Sequence, residues 1–400
     1  MQGERKKVYI AVAVMVIVAF VVGSNIAWLN PRPDFELYRT FDAYPFMWQY
    51  NADAGMEILS AAYFPSVFET YPERINRPLY PLLARGFGEI VGFVFSPVVS
   101  LSPLEKAGAG YVILKLIVHF LAGVALWAVL RRWLSWESIL LSLGLMLLHT
   151  HTLAHIATFH TTDLQVFVPI FIAWGGLYLQ DRYRELAGIR RLEVGAPGGG
   201  VTAPGLGSQP ERRYWLLVVA FSLVAGILML GKQNYSSYLA LLATAVLVKR
   251  RREATVSFLV HLAPLFLYIG YLFLVGLSYR NNEITGMDQG VWVADLLLQH
   301  PLLVATDLWE ILMEFLGNAV RFFHVTLFLA VAALSRWRSI GGERKLGRTE
   351  ALFFILLFLA TFAQFVAVRR FFVAYLASDI AFIVFGLASW MVLEAWEAKG

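Results

Sequence analysis

The stretch GAGYVILKLIVHFLAGVALWAVLRR, residues 108–132, decides the fold. Between Gly108 and Leu130 only Lys115 and His119 are ionisable, and the run ends on Arg131 and Arg132. An apolar run longer than about 18 residues is long enough to cross the hydrocarbon core of a bilayer as a helix. Arginines just past its end mark the cytoplasmic side. The whole chain repeats the pattern. Of its 400 residues, 58% are hydrophobic and only 15% charged, and the mean hydropathy is +0.63. Soluble domains carry roughly 25% charged residues, so a soluble fold is excluded.

Working toward the N-terminus, Val8–Trp28 is a first span preceded by Arg5, Lys6 and Lys7. It is longer than the roughly 7–15 apolar residues of a signal peptide, so it is expected to be retained, with the N-terminus in the cytoplasm. Residues 29–104 form a first outer loop. Within it, Pro81–Leu101 is apolar but broken by Arg85, Glu89 and Pro97, as in a helix lying at the interface or dipping into the membrane. A full span there is the alternative and would reverse everything downstream.

Working toward the C-terminus, spans are expected at 138–156, 164–180, 214–230, 235–248, 255–277, 319–335, 351–368 and 380–396. Asp181–Arg184 closes the second of these. Residues 186–213, rich in Gly and Pro, read as a flexible cytoplasmic linker. A second outer loop, 278–318, carries an amphipathic helix. The expected fold class is all-α: a polytopic transmembrane bundle of about ten spans, a single domain over 1–400, with interfacial helices in two outer loops.

Charge placement tests this topology. The basic runs near residues 5, 131, 182, 190, 212, 250 and 336–348 all fall on one side, as the positive-inside rule requires. Both termini are therefore expected in the cytoplasm of a cell that carries the protein in its cytoplasmic membrane. Net charge is +5, yet no basic stripe with interleaved aromatics lies outside the spans, so no nucleic-acid partner is expected. Cysteine is absent, which removes disulfides and thiolate chemistry. No nucleotide-binding glycine loop occurs, and no cofactor is expected.

The polar residues of interest gather on the outer side. The first loop holds Asp34, Asp42 and Asp53, then Glu57, Glu69 and Glu73, then Arg74-Ile75-Asn76-Arg77-Pro78-Leu79-Tyr80-Pro81. The prolines fix the entry of the following helix, and Arg77 presents a planar fork suited to phosphate. His149, His151, His155 and His160 precede Asp163. The i, i+4 pair of His151 and His155 is a conceivable metal site, with Asp163 or His160 as third ligand, but interfacial histidines are commoner and no metal is expected. Asp163 also suits a helix N-terminus. Lys232-Gln233-Asn234 is a short polar turn, and Lys232 there either snorkels to water or binds an anion. Arg369 and Arg370 break the charge rule, which marks them as functional candidates.

The run from Asn51-Ala52-Asp53 to Arg77-Pro78-Leu79-Tyr80-Pro81-Leu82-Leu83-Ala84 resembles the GT-C superfamily of polytopic membrane glycosyltransferases. Thr162-Asp163-Leu164, Gly231-Lys232-Gln233 and Arg369-Arg370-Phe371 are similar to shorter polar steps of that superfamily, with Gln233 where an acid is often found. The resemblance implies a sugar transfer from a polyprenyl-phosphate donor to an acceptor on the outer face, with inversion. It gives Asp53, with Asp42 as the other candidate, the catalytic role. It gives Arg77, Tyr80, Asp163, Lys232, Gln233, Arg369 and Arg370 the binding of substrate, and His160, just before Asp163 on the outer face, is a further candidate for it. The implied partners are the lipid-linked donor, membrane lipids, an acceptor of unspecified class and possible partner membrane subunits. A non-catalytic subunit on the same scaffold and a secondary transporter are the alternative readings.

Overall fold

A computed structural model of the chain describes residues 2–29, 52–70, 75, 77–132, 136–148, 163–194, 209–231 and 235–278, with scattered positions in 152–156, 298–309 and 349–359. Every assigned element among these is a helix and none is a strand. In order they are α1 (Gln2–Leu29), α2 (Ala52–Tyr63), α3 (Val67–Thr70), α4 (Leu79–Phe95), α5 (Pro103–Leu130), α6 (Trp136–Leu147), α7 (Asp163–Val194), α8 (Gln209–Met229), α9 (Tyr235–Leu247) and α10 (Arg251–Leu274). Among the described residues, four stretches are long and apolar enough to cross a membrane: Arg5–Ser24, Pro103–Leu130, Pro210–Met229 and Arg251–Leu274. The spans expected beyond residue 318 lie outside the described residues apart from a few positions.

α5 is the central element. It starts five residues before the apolar run because Ser102 and Glu105 form a capping box. The Glu105 amide donates to Ser102 Oγ at 3.3 Å, the Ser102 amide donates to Glu105 Oε2 at 2.6 Å, and Pro103 occupies the first helical position. α1 lies antiparallel on α5, with Val8, Val12, Val16 and Ala19 buried. The side chain of Val12 packs on Gly123, and Tyr9 reaches Phe120 and Trp127 at ring distances of 6.4 and 6.5 Å.

α4 also runs antiparallel to α5, and glycine makes the approach possible. A Cβ on Gly88 would collide with the Lys106 carbonyl, and one on Gly110 with the Ala84 carbonyl. α4 therefore stands alongside α5 as one arm of a hairpin. Elsewhere, Gly226 of α8 lies against the His261 backbone of α10. Tyr238 of α9 stacks on His261 at 3.8 Å and donates its hydroxyl to the Ser257 carbonyl at 2.8 Å.

Contacts gather the charged residues of several helices at one end of the bundle. Arg132 pairs with Asp181 at 2.9 Å, joining α5 to α7, and Arg184 pairs with the buried Glu350 at 3.0 Å. Arg250 and Glu253 bond to each other and to the Tyr214 hydroxyl of α8. Arginines also stack on aromatic rings there: Arg131 over Trp127 at 4.6 Å, Arg250 over Tyr183 at 4.3 Å, Arg252 over Trp215 at 5.2 Å. Such a ring of Trp, Tyr and Arg is what a helical bundle carries at a membrane–water interface. This is called the basic end below.

α7 does not stop at Gln180. It continues through Asp181–Arg184 to Val194, and α8 begins at Gln209, so helix occupies both flanks of the segment read as a linker. Arg182 donates to Glu185 Oε2 at 2.8 Å and to the Tyr178 hydroxyl at 3.2 Å, local pairs that support the added turns. Pro169 lies inside α7, in its second turn.

Candidate functional site

At the end away from the basic residues, three separated stretches meet. The Leu79 amide, first in α4, donates to the Leu230 carbonyl at 3.3 Å. Gly231, next in the chain, packs against the side chains of Leu164 and Leu79. The entry to α4, the first turn of α7 and the turn after α8 thus form one cluster. The sequence had singled out all three: Arg77-Pro78-Leu79-Tyr80-Pro81, Asp163-Leu164 and Gly231-Lys232.

Arg77 is half-buried in this cluster and held between two fixed points. Two residues before it, the Ile75 carbonyl accepts from the Tyr268 hydroxyl of α10 at 2.6 Å. Two residues after it, Leu79 is bonded to Leu230. Pro78 precedes α4, and Pro81 falls in its first turn, where a missing N–H has no helical acceptor to lose. Farther along α4, Arg85 donates to the Phe64 carbonyl at 2.8 Å and ties the helix to the turn between α2 and α3. The N-termini of α4 and α7, the positive ends of their backbone dipoles, share this region with the Arg77 guanidinium. Both features favour an anion there.

Tyr80 is fully buried, with its ring 5.7 Å from that of Tyr111. It sits in the α2–α4–α5 core, where it sets the spacing of these helices. The Tyr111 hydroxyl donates to the Glu57 carbonyl of α2 at 3.1 Å. Asp53 is the second residue of α2, one turn before Glu57. Glu57 itself is 1% exposed, and Lys115 on α5 is fully buried. His119, also buried, lies one turn beyond Lys115 and contacts its carbonyl through Nδ1 at 2.8 Å. Tyr111, Lys115 and His119 follow i, i+4, i+8 and share one face of α5. Ionisable groups taken this far from water are costly to charge unless they are paired.

Glu57 is the functional candidate that sequence reading passed over. It stood among eight acidic residues of a loop, and only the docking of α2 on α5 separates it from the others. Asp163 is the first residue of α7, as expected for a carboxylate at a helix N-terminus. Asp42, His160, Lys232, Gln233, Arg369 and Arg370 lie outside the described residues. Among the described residues no group of three His, Asp or Glu side chains is placed to hold a metal ion. No protein-family model, curated protein or solved structure matches the chain.

Proposed function

We propose that the chain is a membrane glycosyltransferase of GT-C type, moving a sugar from a polyprenyl-phosphate donor to an acceptor with inversion. The observation that supports this most is the meeting of Arg77 with the N-termini of α4 and α7 at the end opposite the basic one. The positive-inside rule assigns the basic end to the cytoplasm, which puts this cluster on the outer face. An anion there sits at headgroup depth, where a polyprenyl phosphate carries its charge. Stabilising the negative charge that grows on the leaving phosphate is then the work of Arg77, joined by Lys232 and Arg370. Asp53, on the helix beside the cluster, takes the proton of the acceptor hydroxyl as it attacks the anomeric carbon.

The test is transfer from a radiolabelled polyprenyl-phosphate sugar by the purified full chain in vesicles. Arg77→Ala is expected to weaken donor binding by about 1.5–3 kcal/mol, the worth of a hydrogen bond to a charged group. Donor binding without transfer in the wild-type chain would favour the non-catalytic subunit. Absence of donor binding would overturn the reading as a whole.

A further inference from the structure

α8 and α10 run parallel, and both begin at the basic end, where Tyr214 of α8 bonds to Arg250 and Glu253 of α10. Four arginines at this end belong to pairs within the protein: Arg132 with Asp181, Arg182 with Glu185, Arg184 with Glu350 and Arg250 with Glu253. A second set is placed differently. Arg212, Arg213, Lys249, Arg251 and Arg252 are exposed, and they outnumber Glu211, the other acid in the first turns of α8 and α10. These positions do not serve the helices. A helix N-terminus is the positive end of its dipole and favours acidic side chains. The cations therefore repel one another and both dipoles, a cost that an anion from outside offsets.

Two of these cations stand at the head of exposed stripes. On α8, Arg212, Leu216, Val219 and Leu223 follow i, i+4, i+7, i+11, and all are exposed on one face. On α10, Arg252, Thr255 and Leu259 follow i, i+3, i+7 and are exposed likewise. The Thr255 hydroxyl donates back to the Arg251 carbonyl at 3.1 Å, so it does not break the apolar character of the stripe. The two stripes adjoin. Arg252 stacks its guanidinium on Trp215 at 5.2 Å, and Trp215 lies one turn beyond Arg212 on α8. Stacking uses the face of the guanidinium and leaves its N–H edge for an acceptor.

We propose that Arg212 and Arg252 hold the phosphate of an acidic phospholipid in the leaflet at the basic end, with its acyl chains lying along the two stripes. Depth agrees with this. The arginines share the level of the Trp, Tyr and Arg ring at the interface. Leu223 lies about 16 Å from Arg212 along α8, and one leaflet contributes about half of a hydrocarbon core of about 30 Å. The chemistry selects both parts of the ligand. A soluble phosphate would leave the apolar stripes uncovered, and a zwitterionic headgroup would bring no net charge to the surplus cations. The site lies at the opposite end of the bundle from Arg77 and does not rest on the proposed sugar transfer.

The chain has no cysteine, so single-cysteine labelling needs no background removal. Val219→Cys on the α8 stripe and Val14→Cys on the exposed side of α1 lie equally far along their helices from a cation of this end, Arg212 and Lys7. Each would carry a fluorophore in the full chain, reconstituted in phosphatidylcholine vesicles. The quencher is a low mole fraction of lipid with a nitroxide on its acyl chain and either a phosphatidylglycerol or a phosphatidylcholine headgroup. Position 219 is expected to prefer the acidic carrier about fivefold, the attraction of one basic side chain at a membrane surface. Position 14, below Arg5, Lys6 and Lys7 but without the paired stripes, should prefer it clearly less. Arg212→Gln combined with Arg252→Gln should bring position 219 down to the level of position 14. Equal preference at the two positions in the chain with both arginines intact would reduce the attraction to a general field of the basic end and overturn the proposal. A preference at 219 that survives the double substitution would overturn it too, as would quenching of 219 by neither carrier, which would show a protein cover. Where the double variant does not purify, the comparison of position 219 with position 14 decides alone.

Discussion

Two glycine-to-alanine substitutions on the same hairpin are expected to change stability in opposite directions. At Gly86 of α4 an added Cβ meets nothing within 4 Å. Only the helix preference of alanine acts there, a gain of about 0.5–1 kcal/mol. At Gly110 the added Cβ would sit 2.7 Å from both the Ala84 carbonyl carbon and the Gly88 nitrogen, and nearer still to the Ala84 oxygen. All are backbone atoms and none can rotate away. Non-bonded contacts are comfortable at about 3.5–4.0 Å, and the Ala84 oxygen is the closest atom, so the helices must part by roughly 1.5–2 Å. Overpacking of this kind costs typically about 1–3 kcal/mol. Set against the same helix gain, the net expected for Gly110→Ala is a loss of about 0.5–2 kcal/mol. The assay is thermal loss of the monodisperse species in detergent, both variants beside wild type. Gly110→Ala should melt below wild type and Gly86→Ala at or above it. Equal melting of the two variants would refute the close α4–α5 contact, whatever their absolute values.

Asp53→Asn should reduce turnover by about 10²–10⁴-fold with donor binding retained, the usual worth of a general base, checked by transfer and binding assays on the same preparation. Tyr111→Phe removes the hydroxyl that holds the Glu57 carbonyl and should lower stability by about 0.5–1.5 kcal/mol, visible in the same melting assay. Replacing Asp181 with Asn removes its charge pairing with Arg132 at the partly buried α5–α7 contact. The expected cost is about 1–2 kcal/mol, below the range for a fully buried pair. A cysteine in place of the exposed Glu69 should react with an impermeant maleimide only from the outer face, and labelling only from the cytoplasmic face would invert the topology.

The parts of the fold legible in sequence are those written in local patterns. The apolar runs around Val8, Gly108, Tyr214, Tyr235 and Thr255 mark helices because a membrane span must satisfy its backbone internally. Two boundary errors also had local signals. Ser102-Pro103-Leu104-Glu105 is a capping box with proline at the first helical position, and it announces the start of α5 ahead of the apolar run. Tyr178, Arg182 and Glu185 are spaced for side-chain pairing on a helix, and they carry α7 through the charged cluster taken as its end. The site was legible only in pieces. Arg77, Asp163 and Gly231 stand far apart in the chain, and the bond from Leu79 to Leu230 that gathers them leaves no trace in either segment. Nor does composition distinguish Glu57 from Glu69. One is buried under α5 and the other faces out because of how a short helix docks.

Pro169 gives α7 a mechanical character that its length conceals. The ring removes the amide that would bond to the Gln165 carbonyl and crowds that oxygen. Below this point the helix is pinned by two ion pairs, Asp181 with Arg132 and Arg184 with Glu350. Above it only the opening turns remain, bearing Asp163 and seating Leu164 against Gly231. The helix is thus a fixed mast with a joint near its head. Its upper turns lack that hydrogen bond, while the mast stays locked to its neighbours. The weakest point of α7 lies at the Arg77 end, and the ion-paired remainder belongs to the rigid body of the bundle.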